Sequence, residues 1–140
     1  MHDDIPDSPA KPLILVIEDE FLIREVVVGA LEDAGFSVLT ADDGAQGTQL
    51  FAEHSADIRG MVTDINLGEG IDGWALARTA REQAGELPVV YVSGASGHQW
   101  ASQGVPNSLF ITKPFAPAQI VVALSSLLVA SGTAHAPNAP

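Results

Sequence analysis

Two apolar patterns alternate along the chain, and this alternation limits the possible folds more than any other feature. Leu13-Ile14-Leu15-Val16-Ile17 is an unbroken, β-branched run, as expected of a strand covered on both faces. From Phe21 the period lengthens: Ile23, Val27, Ala30, Leu31 and Ala34 fall on one helical face, and Gly35 is a natural stop. The exchange then repeats. Ser37–Ala41 reads as a strand, Ala45–His54 as a helix, Gly60–Ile65 as a strand, and Trp74–Ala84 as a helix begun near Asp72. Leu87–Val92 is again strand-like, Ser96–Ser102 a short helix, Ser108–Ile111 a strand, and Pro117–Ala130 a closing helix.

Five strand-helix units in sequence predict an α/β protein. Right-handed crossovers then give a five-stranded parallel sheet, doubly wound as (βα)5, in a flavodoxin-like sandwich. The 140 residues leave room for one such domain, expected over 13–130. The proline- and aspartate-rich start, 1–12, and the small-residue stretch 131–140 read as flexible tails. After the last helix only about ten small or polar residues remain, so no output domain is expected.

Charge narrows the partners. Eighteen carboxylates against six Lys and Arg give a net charge of −12, which argues against nucleic acid and against anionic membrane surfaces. Cysteine is absent, the start lacks the basic and apolar segments of a secretion signal, and no run approaches the roughly 20 apolar residues of a membrane span. A soluble cytoplasmic chain is the expectation.

In a parallel sheet, ligands gather beyond the carboxyl ends of the strands. Glu18-Asp19-Glu20 follows the first strand, Asp64 ends the third, Ser93 follows the fourth, and Lys113 follows the fifth. Alone, a strand-end aspartate is most often a helix cap and a serine a turn residue. Together, from four different strands, they form a rim on which close carboxylates repel unless a cation compensates. Hard oxygen donors of this kind suit Mg²⁺, and Lys113 adds a second positive charge.

With these residues in place, the chain resembles the receiver domain of two-component response regulators. The resemblance rests on Leu15-Val16-Ile17-Glu18-Asp19-Glu20, Val62-Thr63-Asp64, Asp72-Gly73, Tyr91-Val92-Ser93-Gly94 and Thr112-Lys113-Pro114-Phe115. It spans essentially the whole core. It implies that Asp64 accepts a phosphoryl group from a phosphohistidine on a sensor histidine kinase or phosphotransfer protein. It also implies that Glu18, Asp19, Asp64 and the backbone carbonyl of Asn66 hold Mg²⁺, while Ser93 and Lys113 engage the phosphoryl oxygens. The Asn66 side chain would help orient the water that resets the signal. Phe110 matches the family's aromatic switch position, and is otherwise a core aromatic; Lys113-Pro114 would be cis on the family pattern and trans on base rates. The chain then signals to a downstream target or relays phosphate, and is not a turnover enzyme.

Asp64-Ile65-Asn66-Leu67-Gly68-Glu69-Gly70-Ile71-Asp72-Gly73 departs from the family pattern: it has glycines where proline is usual, appears one residue longer, and should be more flexible. Its Gly68-x-Gly70-x-x-Gly73 spelling is a dinucleotide fingerprint in letters only, because Glu69 would face the pyrophosphate and no acid ends the next strand. His2, His54, His98 and His135 show no metal-ligand spacing and read as surface residues. A HAD-like phosphatase or hydrolase of similar topology would want a second acid two residues past the nucleophile, where Asn66 stands. A nucleotide-binding module would need the weak glycine motif. A receiver belonging to a hybrid kinase would carry the same residues. Residues 114–140 contain no Asp, Glu, Lys or Arg, so the closing helix is either unusually buried or presents an apolar face for a partner or a homodimer.

Overall fold

The computed structural model of the chain describes residues 11–95 and 97–131. Its elements run β1 (Leu13–Ile17), α1 (Phe21–Asp33), β2 (Ser37–Ala41), α2 (Gly44–His54), β3 (Ile58–Asp64), α3 (Gly73–Gln83) and β4 (Val89–Ser93). A 3-10 turn (Gly97–Gln99), α4 (Trp100–Gln103), β5 (Ser108–Thr112) and α5 (Pro117–Ser131) follow. All strand pairings are parallel, in the order β2-β1-β3-β4-β5. The chain is therefore the expected doubly wound, flavodoxin-like α/β sandwich, and β1 and β3 sit centrally with their carboxyl ends adjacent.

The unbroken apolar strands follow from having helices on both sides. Successive side chains of a strand point to opposite faces, and here each face meets its own cluster. Leu15, Ile17, Met61, Val89 and Tyr91 pack with Phe51 of α2 and Trp74, Leu76, Ala77 and Ala80 of α3. Ile14, Val16, Val62, Val90, Val92 and Ile111 pack with Val27 and Leu31 of α1 and Ile120, Leu124 and Leu128 of α5. A polar residue at any of these central positions would lie buried on one face or the other.

Element bounds shift where local chemistry intervenes. β4 starts at Val89 rather than Leu87, because Pro88 has no N–H for a ladder and the Leu87 N–H bonds back to the Ala84 carbonyl at 3.0 Å. β3 runs from Ile58 to Asp64 instead of Gly60 to Ile65, so Asp64 is the last strand residue. The short helix expected over Ser96–Ser102 is present as the 3-10 turn followed directly by the four-residue α4, and Ser96 lies outside the described residues. So do His2, His135 and the tails expected at 1–12 and 131–140, apart from Lys11, Pro12 and Ser131. His98 is exposed and His54 half-buried. No described helix is long and apolar enough to cross a membrane.

The closing helix joins both alternatives raised by its composition. Ile120, Leu124 and Leu128 are buried against the sheet, whereas Val122 and Val129 are 63% and 72% exposed. The buried stripe explains its hydrophobicity; the outer valines remain uncovered.

Candidate functional site

Four strand ends build the site. β1 delivers Glu18 and Asp19, β3 ends in Asp64, β4 ends in Ser93, and β5 is followed by Lys113. Parallel pairing aligns them: Asp64 is the register partner of Val92, one residue before Ser93, and Ser93 pairs with Thr112, one residue before Lys113. The Lys113 N–H donates to the Ser93 carbonyl at 3.0 Å, extending the ladder to the rim. The Lys113-Pro114 peptide is cis.

Lys113 Nζ donates to Asp64 Oδ2 at 2.9 Å and lies 3.3 Å from Glu18 Oε1 and 3.6 Å from Glu20 Oε1. Glu18 and Asp64 are almost fully buried, while Glu20 is exposed. Burying two carboxylates side by side has a visible electrostatic result. Desolvation, reinforced by the charge of Asp64, pushes the Glu18 carboxyl up to about 7, although the Glu20 N–H and Lys113 pull it the other way. Burial also works against the Lys113 ammonium, but the hydrogen bond and charge of Asp64, with help from Glu18, hold it above its ordinary value.

Lys113 compensates part of the negative charge at this rim. Glu18, Asp19 and Asp64 each offer a carboxylate oxygen within 4.8 Å of the others. This hard donor set, with Glu18 reluctant to ionise until a cation arrives, fits Mg²⁺.

The loop after Asp64 is anchored in spite of its glycines. The Asn66 N–H donates to Asp64 Oδ1 at 3.2 Å, fixing one carboxylate oxygen, and the Gly73 N–H closes the loop on the Ile65 carbonyl at 2.9 Å. Leu67 is buried. A Cβ at Gly73 would collide with the Asp64 carbonyl, and one at Gly44 would collide with Ile71. Gly68 and Gly70 take positive φ of 81° and 94°. The G-x-G-x-x-G spelling is thus accounted for by turns and a close backbone approach, not by a phosphate cradle. Asp72 caps α3 by accepting from the Ala75 N–H at 2.9 Å.

Not every candidate joins the carboxylates. The Ser93 hydroxyl is buried at the rim and accepts from the Ala95 N–H at 3.2 Å. The side chain of Asn66 is exposed. Phe110 lies on the other cluster, stacked on Trp74 with centroids 6.3 Å apart; a Cβ at Gly97 would come within 3.1 Å of its ring. Sequence reasoning placed Glu20 at the rim but did not single out Trp74. Glu20 was visible within the acidic run but not as a third partner of Lys113, and Trp74 was hidden in a helical apolar pattern.

Known proteins share this fold and sequence pattern. A family model described as the response regulator receiver domain matches residues 14–125. The aerobic respiration control protein ArcA of Escherichia coli strain K12 is 34% identical over 119 residues, which cover 84% of this chain and 48% of that protein. The C4-dicarboxylate transport transcriptional regulatory protein DctD of Rhizobium meliloti is 35% identical over 115 residues, covering 80% and 24% respectively. The chain thus spans about half the length, or less, of these curated relatives. A crystal structure of a response regulator receiver protein from Sinorhizobium medicae superposes with a TM-score of 0.83 at 40% identity, covering 86% of this chain and 97% of that one.

Proposed function

The chain belongs to the response regulator receiver domain family, and from that membership we propose that Asp64 is its phosphoacceptor, served by Glu18, Asp19, Asn66, Ser93 and Lys113 within a functional unit spanning 13–130. The observation that carries this reading is Lys113 Nζ, 2.9 Å from Asp64 Oδ2 beside the Glu18-Asp19-Asp64 donor set. A carboxylate paired with one ammonium at the strand-end rim is a competent nucleophile that needs no general base.

The donor is a phosphohistidine on a sensor histidine kinase or phosphotransfer protein. The P–N bond breaks as a P–O bond forms to Asp64, and the imidazole leaves with the electron pair. Lys113 moves from a carboxylate partner to the incoming phosphoryl oxygens, and the Ser93 hydroxyl donates to them. Glu18, Asp19, Asp64 and the Asn66 carbonyl would hold Mg²⁺, which supplies neutralisation of the charge spread over the transferring group. Water, oriented by the exposed Asn66 side chain, later cleaves the acyl phosphate. The product is a signalling state in the cytoplasm rather than a released chemical, with Phe110 repacking beside the β4–α4 loop.

Two surfaces suit protein partners. Leu22, Ile23, Val26 and Phe115 form an apolar groove next to Lys113, suited to a donor that must reach Asp64. The outer valines of α5 suit a downstream target or a second copy, because on a chain of net charge −12 this charge-free helix is where like molecules meet without repulsion. Light scattering over a concentration series tests the homodimer, and a constant monomer mass rejects it.

Incubation with Mg²⁺ and acetyl phosphate tests the acceptor. The expected result is the mass gain of one phosphoryl group, removed by hydroxylamine and absent in Asp64→Asn. Equal labelling of that variant refutes the assignment.

A further inference from the structure

Two of the chain's six Lys and Arg residues lie on α3, far from the carboxylate rim, and both grip backbone. Arg81 Nε donates to the Leu87 carbonyl at 2.7 Å and its guanidinium reaches the Asn107 carbonyl at 3.3 Å. Arg78 donates to the carbonyl and the side-chain oxygen of Gln103, each at 3.2 Å. Trp74, Arg78 and Arg81 are spaced i, i+4, i+7, which sets them on one helical stripe. Trp74 packs on the ring of Tyr91 with centroids 4.6 Å apart, and stacks on Phe110.

The segment on which this stripe closes is itself tied from below. The buried Tyr91 hydroxyl accepts from the Val105 N–H at 3.1 Å. The Trp100 indole donates to Ser108 Oγ at 3.0 Å, and that hydroxyl donates to the Val105 carbonyl at 2.6 Å. Residues 100–107 are therefore strapped to α3 and β4, although α4 is a single turn. At its other end, α3 begins at Gly73, whose Cα sits so close to the Asp64 carbonyl that no Cβ fits between them.

We propose that α3 is a lever: its first residue bears on the backbone of Asp64, and its Trp74-Arg78-Arg81 stripe carries the state of the acceptor to the Trp100–Asn107 strap. This route does not pass through Ser93, and it rests on phosphorylation of Asp64. It gives the two arginines a task beyond the surface ion pairing that is usual for helix cations. A shift of the acceptor loop tilts the helix, and a packed helix transmits displacement because it does not deform continuously.

Hydrogen exchange read by mass spectrometry on the full chain tests this, with Mg²⁺ and beryllofluoride as a stable phosphoryl mimic. In the wild type, amides of 100–107 change their exchange rate several-fold on adding the mimic. Arg81→Met and the double variant Arg78→Met/Arg81→Met keep the helix stem but not the donors. They should keep phosphoryl uptake from acetyl phosphate and the exchange response near Asp64, yet lose the response of 100–107. A response of that segment unchanged in both variants overturns the lever, as does a wild type that takes up phosphoryl without altering 100–107. If the wild type gains no phosphoryl mass, the acceptor assignment fails and the lever falls with it, so the mass measurement separates the two failures. Faster basal exchange alone, with the response intact, marks a merely structural clamp and also overturns the proposal.

Discussion

Glu18→Gln should make the metal-free protein more stable, and only at high pH. The Glu18 carboxyl is driven from 4.5 to about 7, first by burial and then by the charge of Asp64. Between those values the folded state holds a proton that the unfolded chain has released, so this group's contribution falls as pH rises through the window and levels off above it. At about 1.4 kcal/mol per pH unit, the rise amounts to roughly 3 kcal/mol against the ionised, folded form. Glutamine cannot ionise, keeps the shape, and can still accept from the Glu20 N–H and Lys113. Urea unfolding in EDTA, followed by circular dichroism, should therefore find variant and wild type equal near the lower end of the window. By about pH 8 they should be roughly 3 kcal/mol apart in favour of the variant. Groups that do not touch Glu18 are common to both proteins, so the difference reports Glu18 together with its contacts to Asp64 and Lys113. Saturating Mg²⁺ should restore the wild type, since a ligand at about 100 times its Kd adds about 2.7 kcal/mol, a comparable amount; the variant, short of one carboxylate ligand, should gain less. A stability difference that does not change with pH would refute the reasoning.

Other perturbations have equally definite outcomes. Lys113→Met leaves Glu18 and Asp64 facing each other; because the lysine is 19% exposed, the metal-free loss in urea unfolding should be about 2–3 kcal/mol, below the 3–5 of a fully buried pair. Gly73→Ala pushes a methyl into the Asp64 carbonyl, so unfolding should show a loss of about 2 kcal/mol or more, and labelling by acetyl phosphate should slow. Along α5, Leu124→Ala should cost about 2–5 kcal/mol because its side chain is fully buried. Val122→Ala, one turn-face away and exposed, should stay within about 0.5 kcal/mol in the same assay.

The legible parts of this protein were those whose cause is local. A strand covered on both sides must be apolar at every position, so β1 and β4 announced themselves as unbroken runs. The acids, the serine and the lysine were found because each follows such a run. Pro88 is itself a local signal for the later start of β4, since its missing N–H is a property of the residue alone. The short helix around Trp100 was legible as well; what holds it was not, because its partners Tyr91, Arg78 and Arg81 are distant in sequence.

Sequence by itself determined the fold class, the sheet edge at which chemistry gathers, and the identity of the carboxylates, because periodicity and strand-end placement are one-dimensional facts. Tertiary structure alone decided their energetics. Glu18 resists ionisation because burial and Asp64 meet it in space, and Lys113, 95 residues away in the chain, arrives between them. The same holds for α3: Trp74, Arg78 and Arg81 read as an ordinary helical stripe until packing shows which backbone they grip. Distances between residues far apart in sequence set both effects, and no local pattern encodes a distance.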